Sequence, residues 1–222
     1  MSELCVYFIN FVSVAVEYDL QFDETAQIGQ HSINKMNFDQ IIDKIHPISS
    51  SAKLLLIENV EEVTFPKNTI VIRADKIEKN IFFIKKGIAR TFFEVDGTEV
   101  TFSFGKEGDT IASLKSYIDN QKGYESIELL EDCVLYKLTT ENLKKQFQEN
   151  IEIANWGRKF AEYELLKAEE RLISRQFGTA TERYDELLKN NPSIIQRVQL
   201  GHVASYLGIT QVSLSRIRNN SK

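Results

Sequence analysis

Apolar and polar positions alternate with a period near two through the middle of the chain and recur every three or four residues on either side. Between residues 60 and 138, short runs rich in β-branched and aromatic residues are separated by turn residues, the spacing of a roll or barrel of antiparallel strands. Residues 63–65, 69–73, 81–85, 89–95, 99–104 and 133–138 are the predicted strands. Asp96-Gly97 between two of them signals a tight hairpin, and Pro66-Lys67-Asn68, Gly87 and Gly108 mark further turns. Upstream, Phe38, Ile41, Ile42 and Ile45 carry helical spacing over residues 38–60.

Downstream, residues 141–176 are charged, free of proline and interrupted by one glycine, Gly157, which predicts one long helix. That helix carries two apolar stripes. Trp156, Phe160 and Tyr163 form one; Ala161, Leu165, Ala168 and Leu172 form the other, stepping by four, three and four as a coiled-coil seam does. A helix lying on one domain needs a single stripe, so the second predicts a homodimer. The alternative, that both stripes belong to one wide core face, stays open. A shorter amphipathic helix over residues 179–190 turns Tyr184, Leu187 and Leu188 inward and stops at Asn191-Pro192. Arg197-Val198-Gln199 reads as a short extended lead into the C-terminal helices.

Residues 200–219, LGHVASYLGITQVSLSRIRN, read as two short helices broken at Gly208-Ile209-Thr210, the pattern of a helix-turn-helix that enters the DNA major groove. Ala204 is small where two helices cross, Gly208 accepts the positive φ of the turn, and Ile209, Leu214 and Ile217 supply the face that holds the pair together. Thr210 is placed to cap the second helix, with Ser213 beside it. Gln211, Val212, Ser215, Arg216 and Arg218 then fall on the face not needed for packing, and Gln and Arg read adenine and guanine edges bidentately.

Charge sharpens this picture. The formal net charge is −5, but residues 177–222 hold six Lys or Arg against three acids, giving +3 and leaving −8 for residues 1–176. An acidic body with a basic end fits a protein whose DNA contact is confined to one small module. At 222 residues the chain suffices for one large or two modest domains. Its two cysteines, Cys5 and Cys133, build neither a disulfide framework nor a Cys-ligated metal site, and a reducing cytoplasm is the expected setting. Residues 4–16 are apolar but lack a basic start and a cleavage site and are too short to span a bilayer, so no membrane partner is expected. They read as a packed helix or strand, with Met36 an alternative start.

Roll, long helix, short helix and helix-turn-helix, in that order over roughly residues 38–219, resemble the Crp/Fnr family, relatives of the catabolite activator protein. The segments that carry the resemblance are FPKNTIVI, FFIKKGIARTFFEVDGTEVTFSF followed by GKEGD, ERYDELLKNNP, and HVASYLGITQVSLSRIR. The resemblance implies an α+β chain: an N-terminal antiparallel β-roll, a jelly roll like the cyclic-nucleotide-binding domain, then a long dimerisation helix and a C-terminal helix-turn-helix domain. The corresponding division is an N-terminal extension over 1–35, a sensor roll over 36–140, the dimerisation helix over 141–176 and the DNA-binding domain over 177–222. It also implies that Gln211, Val212 and Arg216 occupy base-contacting places, that Thr210 and Ser213 fall where phosphate contacts are usual, and that RNA polymerase and a small-molecule effector are further partners.

The chain departs from the family at the nucleotide site. Members that bind cyclic AMP carry a Gly-Glu pair and later an Arg-Ser or Arg-Thr pair after the roll's GD, where Arg neutralises the phosphate and Glu holds the ribose. Here Ala112-Ser113 stands at the first pair and Gly123-Tyr124 at the second. Lys115 and Lys122 bring positive charge without the guanidinium fork. The roll is therefore expected not to hold cyclic AMP or cyclic GMP, a cyclic-nucleotide-responsive regulator being the alternative. Many family members continue beyond the helix-turn-helix into a β-hairpin wing, and wing contacts are not expected of residues up to Lys222.

Other chemistry finds little support. A cupin-type enzyme needs clustered His and carboxylate ligands inside the barrel, and His31, His46 and His202 all lie outside the predicted strands. No nucleophile elbow, haem ligand set or iron-sulfur ligand set is present, so neither an enzyme nor a cofactor is expected. His202, early in the first helix of the DNA module, is expected to be exposed or to meet phosphate, and Cys133 to be a small buried hydrophobe. A third reading, a dimeric interaction protein that has lost DNA binding, is opposed by the two outward arginines of the second helix.

Overall fold

The computed structural model describes residues 36–220. The readings made for residues 4–16, Cys5, His31 and Lys222 lie outside the described residues.

Among the described residues, two helices precede the roll. α1 (Phe38–Ile45) opens with a capping box, in which Asn37 and Gln40 satisfy each other's backbone N–H groups. α2 (Ser50–Ile57) is capped by Ser49. The single helical run expected over residues 38–60 is split in two. His46 adopts an extended backbone, as a residue before Pro47 is biased to do.

Eight strands come after them: β1 (Val60–Phe65), β2 (Ile70–Ile72), β3 (Asn80–Lys86), β4 (Ala89–Val95), β5 (Thr98–Gly105), β6 (Thr110–Ile111), β7 (Ser126–Leu129) and β8 (Cys133–Thr139). They form two four-stranded antiparallel sheets, in the orders β1-β8-β3-β6 and β2-β7-β4-β5. This is the jelly-roll architecture. β6, β7 and the short helix α3 (Leu114–Asp119) were not predicted: β6 is two residues long, and β7 buries every second residue over only four. The β4–β5 hairpin turns at Asp96 and Gly97, both at positive φ (50° and 74°), as a two-residue turn matched to strand twist requires.

β3 is buried on both faces, and its alternation divides two cores. Phe82 and Ile84 meet Ile72, Ile111, Ile127, Leu129, Cys133 and Leu135 between the sheets. Ile81 and Phe83 point the other way, into a layer with Phe38, Ile41, Ile42, Leu56, Tyr136 and Leu138.

Two helices come next, α4 (Thr140–Glu149) and α5 (Ile151–Phe177), where one had been predicted. Asn150 makes the break. Its backbone is extended (φ −136°, ψ 115°), and its side-chain oxygen accepts from the N–H groups of Glu152 and Ile153 to start α5 afresh. The C-terminal helical module comprises α6 (Ala180–Asn190), α7 (Pro192–Arg197), α8 (Leu200–Leu207) and α9 (Gln211–Asn220). The lead expected to be extended is thus helical up to Arg197, because Pro192 occupies the first helical position, where its missing N–H costs nothing; only Val198 is extended. No helix among the described residues is long and apolar enough to cross a membrane.

Candidate nucleic-acid interface and its coupling to the roll

α8 and α9 meet across a left-handed Gly208 (φ 68°), and the Ile209 N–H returns to the Ala204 carbonyl at 3.0 Å. Thr210 caps α9, its Oγ1 accepting from the Ser213 N–H at 3.1 Å. Ala204 and Leu214 are buried with Val203, Leu207, Tyr184 and Leu187, and Ile209 and Ile217 pack at the margin. With Leu214 turned inward, Gln211, Val212, Ser215, Arg216 and Arg218 stand exposed along α9, and Ser213 is half-buried.

The module's charge is less available than its sequence suggests. Arg183 donates to the Leu207 and Gly178 carbonyls, closing the C-terminal ends of α8 and α5. Arg197 binds Glu107 through both terminal nitrogens, at 3.0 and 2.8 Å, and also pairs with Glu131. Burial alone would raise the Glu107 carboxyl, but hydrogen bonds from Arg197 and from the Gly87 N–H outweigh it and hold the group below the usual carboxylate range. Among the described cations of this module, Lys189, Arg216 and Arg218 remain exposed.

The face of α8 opposite α9 lies on β5. Ser205 Oγ accepts from the Thr101 N–H at 2.9 Å. Arg90 of β4, only 2 % exposed, sits at the centre of a network: Nε donates to Glu128 at 2.6 Å, Nη2 pairs with Glu99, and Nη1 reaches Thr101 Oγ1 and His202 Nδ1, the last at 2.9 Å. A guanidinium only donates, so Nδ1 is the acceptor and the imidazole is neutral with its proton on Nε2. Burial pushes the His202 pKa down, and the Arg90 charge pushes it further. The expected exposed or phosphate-contacting role for His202 is corrected accordingly: it is half-buried and ties α8 to the roll.

Arg175, near the end of α5, donates to the Tyr206 carbonyl at 2.9 Å, and Lys106 donates to Asn191 at 2.6 Å. Ile88, Phe104 and Leu130 of the roll join the apolar cluster of the module. A cavity of about 250 Å³ opens in this seam, lined by Arg90, Glu99, Glu128, Gln199 and His202 among others. Of these residues the sequence reading singled out only His202, and in another role. The available signal was a lone arginine inside a predicted strand, Arg90 between Ala89 and Thr91, because such a charge needs buried partners.

The segment at the family's nucleotide site packs on itself. Ala112 packs against the helical core of the roll. Ser113 stands before α3 without making a side-chain cap, and a Cβ on Gly123 would lie 2.4 Å from its Oγ. Lys115 Nζ lies 4.3 Å from the centre of the exposed Tyr124 ring. Ser113 is 3 % exposed and its Oγ has no hydrogen-bond partner.

The two stripes of α5 have different fates. Trp156 is buried, donates to the Ile42 carbonyl at 3.1 Å, and stacks on the half-buried Phe160, so this end of the first stripe belongs to the roll's own core. Tyr163 and the second stripe, Ala161, Leu165, Ala168 and Leu172, are exposed, as are Leu166, Ile173 and Phe177, which the sequence reading did not single out. Cys133 is buried, its thiol pushed up to about 11 by burial. Among the described residues no group of three or more metal-ligating side chains converges.

This architecture has recognisable counterparts. Residues 62–150 match the family model of the cyclic nucleotide-binding domain, which spans β1 to β8 and α4. The fold is similar to FixK2 of Bradyrhizobium japonicum (TM-score 0.62, 18 % identity, 72 % of this chain and 83 % of that one). It is also similar to a transcriptional regulator of the Crp/Fnr family from Eubacterium rectale (0.61, 18 %, 77 % and 82 %) and to the c-di-GMP-responsive global regulator CLP of Xanthomonas campestris (0.62, 15 %, 78 % and 91 %). No curated protein matches the chain. The roll thus matches the cyclic nucleotide-binding domain model over residues 62–150, and the chain is similar in fold to Crp/Fnr regulators.

Proposed function

We propose that the chain is a sequence-specific, DNA-binding transcription regulator that acts as a cytoplasmic homodimer. The roll over 36–140 senses, the helical stretch over 141–176 dimerises and the module over 177–222 reads DNA. The observation that carries this reading is α9: Leu214 is fully buried while Gln211, Val212, Ser215, Arg216 and Arg218 are exposed together on one short helix. Thr210 and Ser213, at its start, are placed for phosphate. The exposed Leu165 and Leu172, one heptad apart, support the dimer. RNA polymerase and a small-molecule effector complete the set of partners. In-vitro selection of bound double-stranded DNA tests the reading directly. The expected product is a palindrome whose half-sites lie about one helical turn apart; failure to enrich any sequence overturns it.

The effector is expected to be neither cyclic AMP nor cyclic GMP, since no arginine occurs between Arg90 and Arg158 to hold a cyclic phosphate, and Arg90 is engaged elsewhere. The alternative, a cyclic-nucleotide-responsive regulator, is favoured by the family match and by the unpartnered Ser113 Oγ in that segment. Loss of two charged hydrogen-bond partners weakens binding by roughly a hundredfold or more. Calorimetric titration decides between them: a micromolar dissociation constant with a matching rise in DNA affinity establishes the alternative.

A further inference from the structure

Gly201 is the second residue of α8 and lies against the side chain of Gln211, the first residue of α9. Glycine is a poor helix former, and this helix has only eight residues with no side-chain cap at Gln199, so the residue runs against local preference. Its backbone does not need glycine either, since its φ lies outside the left-handed range. What requires it is a neighbour. A Cβ on Gly201 would stand 2.5 Å from the amide nitrogen of Gln211 and 3.7 Å from its Cδ; among the described residues no other atom beyond its own helix turn comes within 4 Å. Gln211 opens α9, directly after the capping Thr210, and its side chain, exposed as a whole, brings its amide end against the backbone of α8 at Gly201.

A glutamine amide recognises adenine only when its carbonyl and NH2 both face the base edge, so its torsions decide what it reads. We propose that Gly201 is a specificity-determining position: the bare backbone of α8 there seats the Gln211 amide and so sets the direction from which it meets a base. This rests on the DNA-reading assignment of α9. Gly201 is a positioning residue, acting through Gln211.

The substitution Gly201→Ala isolates this role, because alanine favours the helix and the only atoms in its way are the far end of one flexible side chain. The fold is expected to be kept or slightly strengthened while the Gln211 amide is displaced. Four proteins are compared on the site selected by the wild type and on variants with each base pair changed in turn: wild type, Gly201→Ala, Gln211→Ala and the double variant. Gly201→Ala is expected to relax preference at one base pair per half-site by about fivefold or more, the discrimination a bidentate contact supplies. The same base pair is expected to be relaxed by Gln211→Ala, and adding Gly201→Ala to that variant is expected to change nothing more. Unchanged preference in Gly201→Ala with an intact melting temperature overturns the proposal, as does an effect that persists at full size in the Gln211→Ala background. Both of these outcomes leave DNA reading by α9 standing. If the wild type selects no sequence at all, the DNA-reading assignment falls and this inference with it.

Discussion

The seam between β5 and α8 and the outward face of α5 are opposite solutions to the problem of joining parts. In the seam every principal group has a partner within the chain: Arg90 with Glu128, Glu99 and His202, Ser205 with Thr101, and Arg197 with Glu107 and Glu131. The apolar stripe exposed on α5 has no such partners among the described residues, the helix's own ion pairs lying beside it. Leu165 is 72 % exposed and Leu172 64 %, with Leu166, Ile173 and Phe177 beside them. A polar network specifies one geometry and loses much when a member is removed, whereas an apolar stripe is non-directional and gains only when something covers it. One chain thus completes the joint between the roll and the C-terminal helices by itself, while the apolar residues of α5 stay exposed. α5 reaches α8 through Arg175, and β5 touches α8 directly.

The largest effect should come from breaking the apolar side of this comparison. Replacing Leu165 and Leu172 together with Lys removes four leucines from a two-fold interface, each worth about 1.5–3 kcal/mol when buried. Sedimentation is expected to show a dimer for the wild type and a monomer for the variant; a wild type that is monomeric at micromolar concentration would instead mean that the face has another use. On the polar side, Arg90→Ala leaves Glu128 half-enclosed without its cation and is expected to cost about 3–5 kcal/mol, read as a lowered denaturant midpoint. Faster hydrogen exchange along α8 should accompany it, and protection equal to wild type would show that the apolar cluster around Ile88 holds the seam alone.

A smaller change is expected at the module's working face. Arg216→Ala should keep fold and dimer but lose about 1–3 kcal/mol of discrimination between the selected site and random DNA. Undiminished preference would remove Arg216 from the reading face. The smallest effect concerns pH. The His202 pKa is depressed in the folded protein, so acidification protonates the unfolded chain first. The stability contributed by the neutral imidazole is therefore fully present above the ordinary histidine value of 6.5 and is lost as pH falls from there through the folded value. His202→Gln should flatten the slope of stability against pH in that window, measured by denaturant melts; an unaltered slope would place the titration elsewhere.

Much of this was legible because it depends on local chemistry. The Asp96-Gly97 hairpin, the Gly208 turn, the Thr210 cap and the inward Leu214 each arise from one residue's backbone or side-chain preference, and each appears where the pattern put it. The break at Asn150 was equally local but lay hidden in a charged, proline-free run, since an asparagine that caps looks like any polar surface residue until its neighbours' N–H groups turn to it. β6 was too short for a period to register.

What the amino-acid sequence determined alone was the order of roll, long helical stretch and helix-turn-helix, the alternation that builds most strands of the roll, and the composition of the face that α9 presents. Tertiary structure decided the rest. It drew Arg90, Glu128, Glu99 and His202, up to 112 residues apart, into one network, committed Arg183 and Arg197 to internal partners, took Trp156 into the core, and laid Gln211 over Gly201. The physical reason is the same in each case. Periodicity reports which face of an element is apolar, but the partner of a buried charge, or the neighbour that needs a bare backbone, is fixed by which elements the fold brings together.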